Sequence, residues 1–343
     1  MNGLIYIFLE VKMDTSTHII MGFGLAGLSF IDPAVSSNPE LAQAILLGTV
    51  IGSNAPDFDY AIKLVKGRGM YTEHHRGLSH SIPALFIWTL FVAGIIYLFF
   101  RDVSFLPLLY WTFISVVIHV GFDILNPYGT QAGRPFTKNW LSLNFIPLFD
   151  PIIIFIHLIG FILWLIGYPP GIVFSCGYLV LLLYVAMRYL VYKQKRSFVM
   201  KNTQKRGNIT FIPTMWLHKW DFVFETDSAY HVGFVNGNKI NLFQHFVRHD
   251  PNAQLIKASL QDKNVQHFIA NSKHTHAISY HSLSGFEVHW IDLRFRHKDR
   301  FPYMAIVKFN REQTIIHSST GWMHNIKNRN EKLPSNQNRA LER

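Results

Sequence analysis

Residues 105–125 read FLPLLYWTFISVVIHVGFDIL. This 21-residue run has one carboxylate and no lysine or arginine, so as a helix it is long enough to cross a hydrocarbon core of about 30 Å. Yet His119 and Asp123 lie near its end. Four residues apart, they share one helix face. A histidine beside an ionised aspartate inside a membrane is costly unless the two pair or share a cation. The plain alternative is a His–Asp hydrogen bond that steadies two helices.

Three comparable runs surround this one: 82–100, 152–168 and 171–192, the second at the short end of the spanning range. The YPPG sequence at 168–171 folds the last two into a tight hairpin. Segments 16–30 and 40–53 are apolar but too short to span, and read as core or re-entrant helices, the second started by Asn38-Pro39. Loop charge sets the orientation. Lys63, Lys66, Arg68 and Arg76 precede the first run, Arg134 and Lys138 separate the second from the third, and Lys193, Lys195 and Arg196 follow the fourth. The opposite loops, Arg101-Asp102 and YPPG, carry almost nothing. The positive-inside rule then predicts four spans of the cytoplasmic membrane with both termini cytoplasmic.

From about 207 the pattern changes to alternating apolar and polar residues rich in β-branched and aromatic types, as in KINLFQHF and GFEVHWIDLRFRH, with Asn236-Gly237-Asn238 as a turn. The predicted fold is therefore mainly α: a helical membrane bundle over 13–192, then a small β-rich cytoplasmic domain over 207–315 and a polar, disordered tail over 316–343. The first twelve residues lack the basic start and cleavage site of a signal peptide, and the orderly segment at Met13 reads as the true translation start.

The 343 residues carry a net charge of +11, unevenly spread: residues 1–192 hold 9 of the 32 Lys and Arg but 10 of the 21 Asp and Glu. A basic part following membrane spans is read as facing anionic lipid, with a regulatory protein as a further candidate partner, and no direct nucleic-acid binding is expected. The single cysteine, Cys176, rules out an intrachain disulfide or a CxxC zinc site. Any metal must be held by some of the 18 histidines and by carboxylates.

Ligand-type residues gather in five stretches: Asp14 to His18, Asp57 and Asp59 after Pro56, HHRGLSH at 74–80, His119 with Asp123, and Asp150 before Pro151. Each has an ordinary reading. Asp14 and Asp150 suit helix N-caps, Asp57 and Asp59 suit a cap or an Asx-turn, and His74, His75 and His80 suit a basic juxtamembrane loop. His157, alone in the third span, reads as a packing histidine. The predicted topology tips the balance, because it puts all five stretches at the cytoplasmic edge of the bilayer and leaves the outer loops without histidine. Mixed His and carboxylate ligands suit zinc, with manganese or iron as alternatives. An ion there would polarise a phosphoryl or acyl oxygen, and Arg76 would clamp a substrate phosphate.

The strings TH at 17–18, PDFD at 56–59, HHRGLSHS at 74–81, HxxxD at 119–123 and DP at 150–151 resemble the YdjM-type family of membrane-bound metal-dependent hydrolases, also described as LexA-binding and inner-membrane-associated. The resemblance covers about 13–190, and the C-terminal part resembles the tail of YfhP-like members. More distantly, the pattern is similar to zinc-dependent phospholipase C, although ILNPYGTQAG follows HxxxD where that pattern has a further histidine. What the resemblance implies is a hydrolase; the substrate expected from the metal chemistry and the membrane setting is a phosphoester of a lipid or similar amphiphile. His18, Asp57, His74, His80, His119 and Asp123 would be the metal-ligand candidates, and Asp59, His75 and Arg76 the catalytic ones. A non-enzymatic protein with a structural His/Asp cluster and a regulator- or lipid-binding C-terminal domain is the alternative.

Overall fold

The computed structural model describes residues 2–60, 76–203, 207–248, 254–282, 285–297 and 300–323, with only the backbone of residues 2–14 and 59–60. His74 and His75 lie outside the described residues, as do the side chains of Asp14 and Asp59. Two compact units form. One holds the described residues up to Phe198 together with Phe211–Trp220, and the other holds Val199–Thr210 and the residues from Asp221 onward.

The first unit is helical: α1 Asn2–Leu28, α2 Pro33–Ser36, α3 Pro39–Gly52, α4 Ile82–Phe99, α5 Phe105–Leu125, α6 Pro151–Leu165 and α7 Pro170–Asn202. Of these, α4, α5 and α7 are long and apolar enough to cross a membrane. The expected third span is the 15-residue α6, about 22 Å long at 1.5 Å per residue. Its start is dictated locally, because Asp150 accepts the Ile152 N–H at 3.0 Å and Pro151 occupies the first helical position. At the other end Gly167, at φ +99°, makes the turn into α7.

Helix α3 packs against α1, α4 and α5. Asn38 caps it by accepting the Leu41 N–H at 3.1 Å. Its Leu41, Ala44 and Ile45 form a core with Val92, Ala93, Leu108 and Trp111. Small residues let the backbones approach: a Cβ on Gly22 of α1 would lie 2.9 Å from the Thr49 carbonyl oxygen of α3. The outward faces of α4 and α7 expose Phe86, Ile87, Leu90, Leu182, Leu183 and Leu190, the surface a helix presents to lipid.

The second unit contains two antiparallel four-stranded sheets. The first has the order β1 Asn208–Pro213, β2 Lys219–Glu225, β3 Ala229–Asn236 and β4 Lys239–Val247, with β1 and β2 lying across the division between the units. Asn236 pairs with Lys239, so Gly237-Asn238 is a two-residue turn, and Gly237 supplies the required positive φ of 56°. The second sheet runs β5 Thr275–Ser282, β6 Gly285–Asp292, β7 Tyr303–Phe309 and β8 Ile315–Trp322. Two helices, α8 Gln254–Ser259 and α9 Lys263–Asn271, pack on it. The β-rich part thus also carries two helices, and the boundary expected at 315 falls at the start of a strand.

The helices were hidden by their brevity. QLIKAS is six residues long, and KNVQHFIAN shows inward Val265 and Phe268 only once the sheet is known. The starting signal for α9 was legible: Asp262 accepts the N–H groups of Asn264 and Val265.

Candidate metal centre

Four elements converge. Helix α5 brings His119 and Asp123 on one face, a 3-10 turn at Leu78–His80 brings His80, another at Ala55–Tyr60 brings Asp57, and α1 brings His18. His80, His119 and Asp123 are at most 1% exposed. Their inward atoms crowd one point. His80 Nε2 lies 3.0 Å from Asp123 Oδ2 and 3.3 Å from His119 Nε2, which is itself 3.4 Å from the same oxygen. Asp57 Oδ1 closes the group, 3.6 Å from His80 Nε2 and 3.7 Å from His119 Nε2. All four donor atoms lie within 4.8 Å of one another.

These separations fit a metal. Ligands about 2.0–2.1 Å from a tetrahedral zinc stand about 3.3 Å apart. Five of the six edges of the donor set measure 3.0–3.7 Å. The proton distribution fits as well. His119 Nδ1 donates to the Ser53 carbonyl at 2.7 Å, an acceptor that cannot donate in return, so a neutral His119 turns the bare lone pair of Nε2 inward. His80 Nδ1 meets the Ser79 hydroxyl at 2.9 Å, which can donate or accept. Burial lowers the His80 pKa despite the Asp123 hydrogen bond, favouring the neutral ring. Two neutral imidazoles so placed would bring at most one N–H to a point where two nitrogens and two carboxylate oxygens meet. A divalent cation accepts all four lone pairs at once.

The other oxygen of Asp123 has its own partners. Arg76 lies 3.3 Å away, Asn126 donates to it at 3.2 Å, and His18 Nε2 stands at 3.5 Å. Arg76 also donates to Asn126 Oδ1 at 3.3 Å and covers the Tyr128 ring. Its backbone is held at φ +61°, a costly conformation for a residue other than glycine. The predicted phosphate clamp is therefore buried against the aspartate. His18 sits outside the four-atom set with its ring stacked on His119 at 3.9 Å between centroids.

Asp150 caps α6 and also holds a polar cluster in the bundle. Its Oδ2 accepts from Tyr184 at 2.6 Å and pairs with the fully buried Arg188 at 3.5 Å. His157 donates to the Ile153 carbonyl at 2.7 Å, as a packing histidine does. Sequence reading passed over Ser53, Asn126 and Arg188. For Asn126 the available signal was the Asn-Pro pair that ends the HxxxD helix.

The model of a family described as "YdjM inner membrane protein" matches residues 13–195, and that of the "YfhP C-terminal alpha/beta plait domain" matches 254–333. An uncharacterised Bacillus subtilis protein, YfhP, is 37% identical over 323 residues, covering 94% of this chain and 98% of the relative. No solved structure matches.

Proposed function

Since the chain belongs to the YdjM inner membrane protein family, we propose that it is a membrane-bound, metal-dependent hydrolase whose ion is held by Asp57, His80, His119 and Asp123. The observation that carries this reading is the His119–Ser53 hydrogen bond, which aims a bare imidazole nitrogen at two carboxylates in a buried site. Zinc suits the donor set best among the candidates. A divalent ion there supplies Lewis acidity toward a phosphoryl or acyl oxygen.

The protein's own groups do the rest. Arg76, Asn126 and His18 fix Asp123. Asp57, the most open member at 19% side-chain exposure, marks the side from which substrate arrives. Asp59 or His75 accepts the proton of the attacking water. The substrate is a phosphoester of a lipid or similar amphiphile, met at the cytoplasmic face. Four crossings are retained, the short α6 being accommodated by local thinning of the bilayer, with both termini cytoplasmic and anionic lipid facing the basic C-terminal part.

The near-complete burial of His80, His119 and Asp123 favours a second reading, a structural ion that ties α5 to the turns carrying Asp57 and His80. The test is purification in detergent, measurement of bound metal by elemental mass spectrometry, and assay with phosphoester substrates, repeated for His80→Ala. Loss of metal together with turnover supports the hydrolase. Stoichiometric metal with no turnover supports the structural ion. Wild-type protein without metal overturns both.

A further inference from the structure

The loop between β1 and β2 carries exposed apolar side chains at a level that the neighbouring helix defines. Helix α7 begins at Pro170, and Arg188 lies 18 residues along it, about 27 Å by helical rise, close to the thickness of a hydrocarbon core. The outward face of α7 stays apolar as far as Leu190, and the first exposed cation is Lys193, whose ammonium reaches back over the Tyr189 ring at 5.5 Å. Exposed charge on α7 thus first appears at residue 193, beside the amphipathic Tyr189 ring, which sets the bilayer boundary at this level. Arg188, fully buried one turn earlier, donates to the carbonyls of Phe145 at 2.9 Å and Thr214 at 3.1 Å and covers the Trp220 ring. The loop that follows Thr214 is thereby fixed at the level where α7 leaves the lipid.

The loop is also rigid. Thr214 Oγ1 accepts from the Trp216 N–H and donates to the Lys219 carbonyl, while Trp220 Nε1 donates to the Leu217 carbonyl. Closure this tight turns Met215 and Trp216 outward, at 44% and 59% exposure, with Lys219 beside them. A fixed, exposed Met-Trp pair is poorly suited to water and well suited to the interfacial region, where tryptophan concentrates.

We propose that the Met215–Trp216 tip is an interfacial anchor inserted into the phospholipid headgroup and upper acyl region, continuous with the lipid-facing surface of α7. The partner is the bilayer boundary itself. The inference rests on α7 crossing the membrane, and the test separates the two claims.

In a Cys176→Ser background, nitroxide labels are placed at Met215→Cys and, separately, Trp216→Cys. Leu183→Cys serves as the buried-in-lipid reference and Lys239→Cys, exposed at the start of β4, as the aqueous one. The protein is reconstituted into phosphatidylcholine–phosphatidylglycerol vesicles, and collision with oxygen and with a neutral nickel chelate is read by electron paramagnetic resonance. Labels at 215 and 216 should collide with nickel several-fold less than the label at 239, and with oxygen more. A deep label at 183 with aqueous labels at 215 and 216 overturns the anchor. An aqueous label at 183 overturns the crossing of α7 and the anchor with it.

Discussion

Replacing Asp123 with asparagine keeps the shape of the side chain and removes one charge from the place where it is used twice. Oδ2 lies 3.0 Å from His80 and 3.4 Å from His119, so the change withdraws one of four ligands. Oδ1 lies 3.3 Å from Arg76, which is 5% exposed, so the change also removes the countercharge of a buried guanidinium. Removing one member of a buried pair costs about 3–5 kcal/mol. Asn126 Oδ1 and the Tyr128 ring remain to Arg76 and should hold the loss toward the lower value. Saturating metal adds to the wild type alone, about 2.7 kcal/mol at a hundredfold excess over Kd. Thermal unfolding in detergent, with metal and with chelator, separates the two effects. In chelator, Asp123→Asn should be destabilised, and adding Arg76→Met should restore much of that loss, because the uncompensated charge is gone. In metal, only the wild type should gain stability. An Asp123→Asn protein that binds metal with wild-type stoichiometry and affinity would refute the assigned ligand set.

A methyl at Gly22 meets Ser53 Oγ at 2.5 Å and the Thr49 carbonyl oxygen at 2.9 Å. Gly22→Ala should therefore push α1 from α3, cost about 1–3 kcal/mol, and weaken metal binding through the displaced Ser53 carbonyl, as metal titration would show. Removing the His18 ring by His18→Ala should weaken metal binding less than His80→Ala does, because His18 lies outside the four-donor set, beside Asp123 Oδ1 and stacked on His119. Equal losses in a metal-competition assay would place His18 among the ligands. In the C-terminal unit, burial, aided by the Arg294 charge and opposed by Asp292, lowers the pKa of His274 from 6.5 to about 4. A histidine held neutral in this way contributes full stability above pH 6.5 and loses it as pH falls from there toward 4, about 3 kcal/mol in all. Hydrogen exchange of β5 and β6 peptides across that window should show the loss, and His274→Gln should flatten it.

What could be read from the sequence follows from how local the information was. The membrane helices are runs of apolar residues, and the His119–Asp123 pairing needs only the 3.6-residue repeat. Both follow from residues adjacent along the chain. The grouping of His80 and Asp57 with them was legible by a weaker route, a shared depth in the bilayer, which says that groups can meet but not which atoms do. That is why His18 and Asp57 looked equivalent from the sequence, whereas the structure puts Asp57 among the four donors and His18 on the far oxygen of Asp123. The partners of Arg76 were hidden for a related reason. An arginine beside histidines in a basic loop resembles a ligand clamp, and nothing in the string HHRGLSH reveals a left-handed backbone that turns the guanidinium inward onto an aspartate 47 residues away. Ser53 could not have been found at all, because it acts through its carbonyl, which every residue possesses. Yet that carbonyl fixes which nitrogen of His119 is bare. The chemistry of the site is therefore set partly by a backbone position, the end of α3, and changes that move α3 should alter metal affinity even where every ligand side chain is intact.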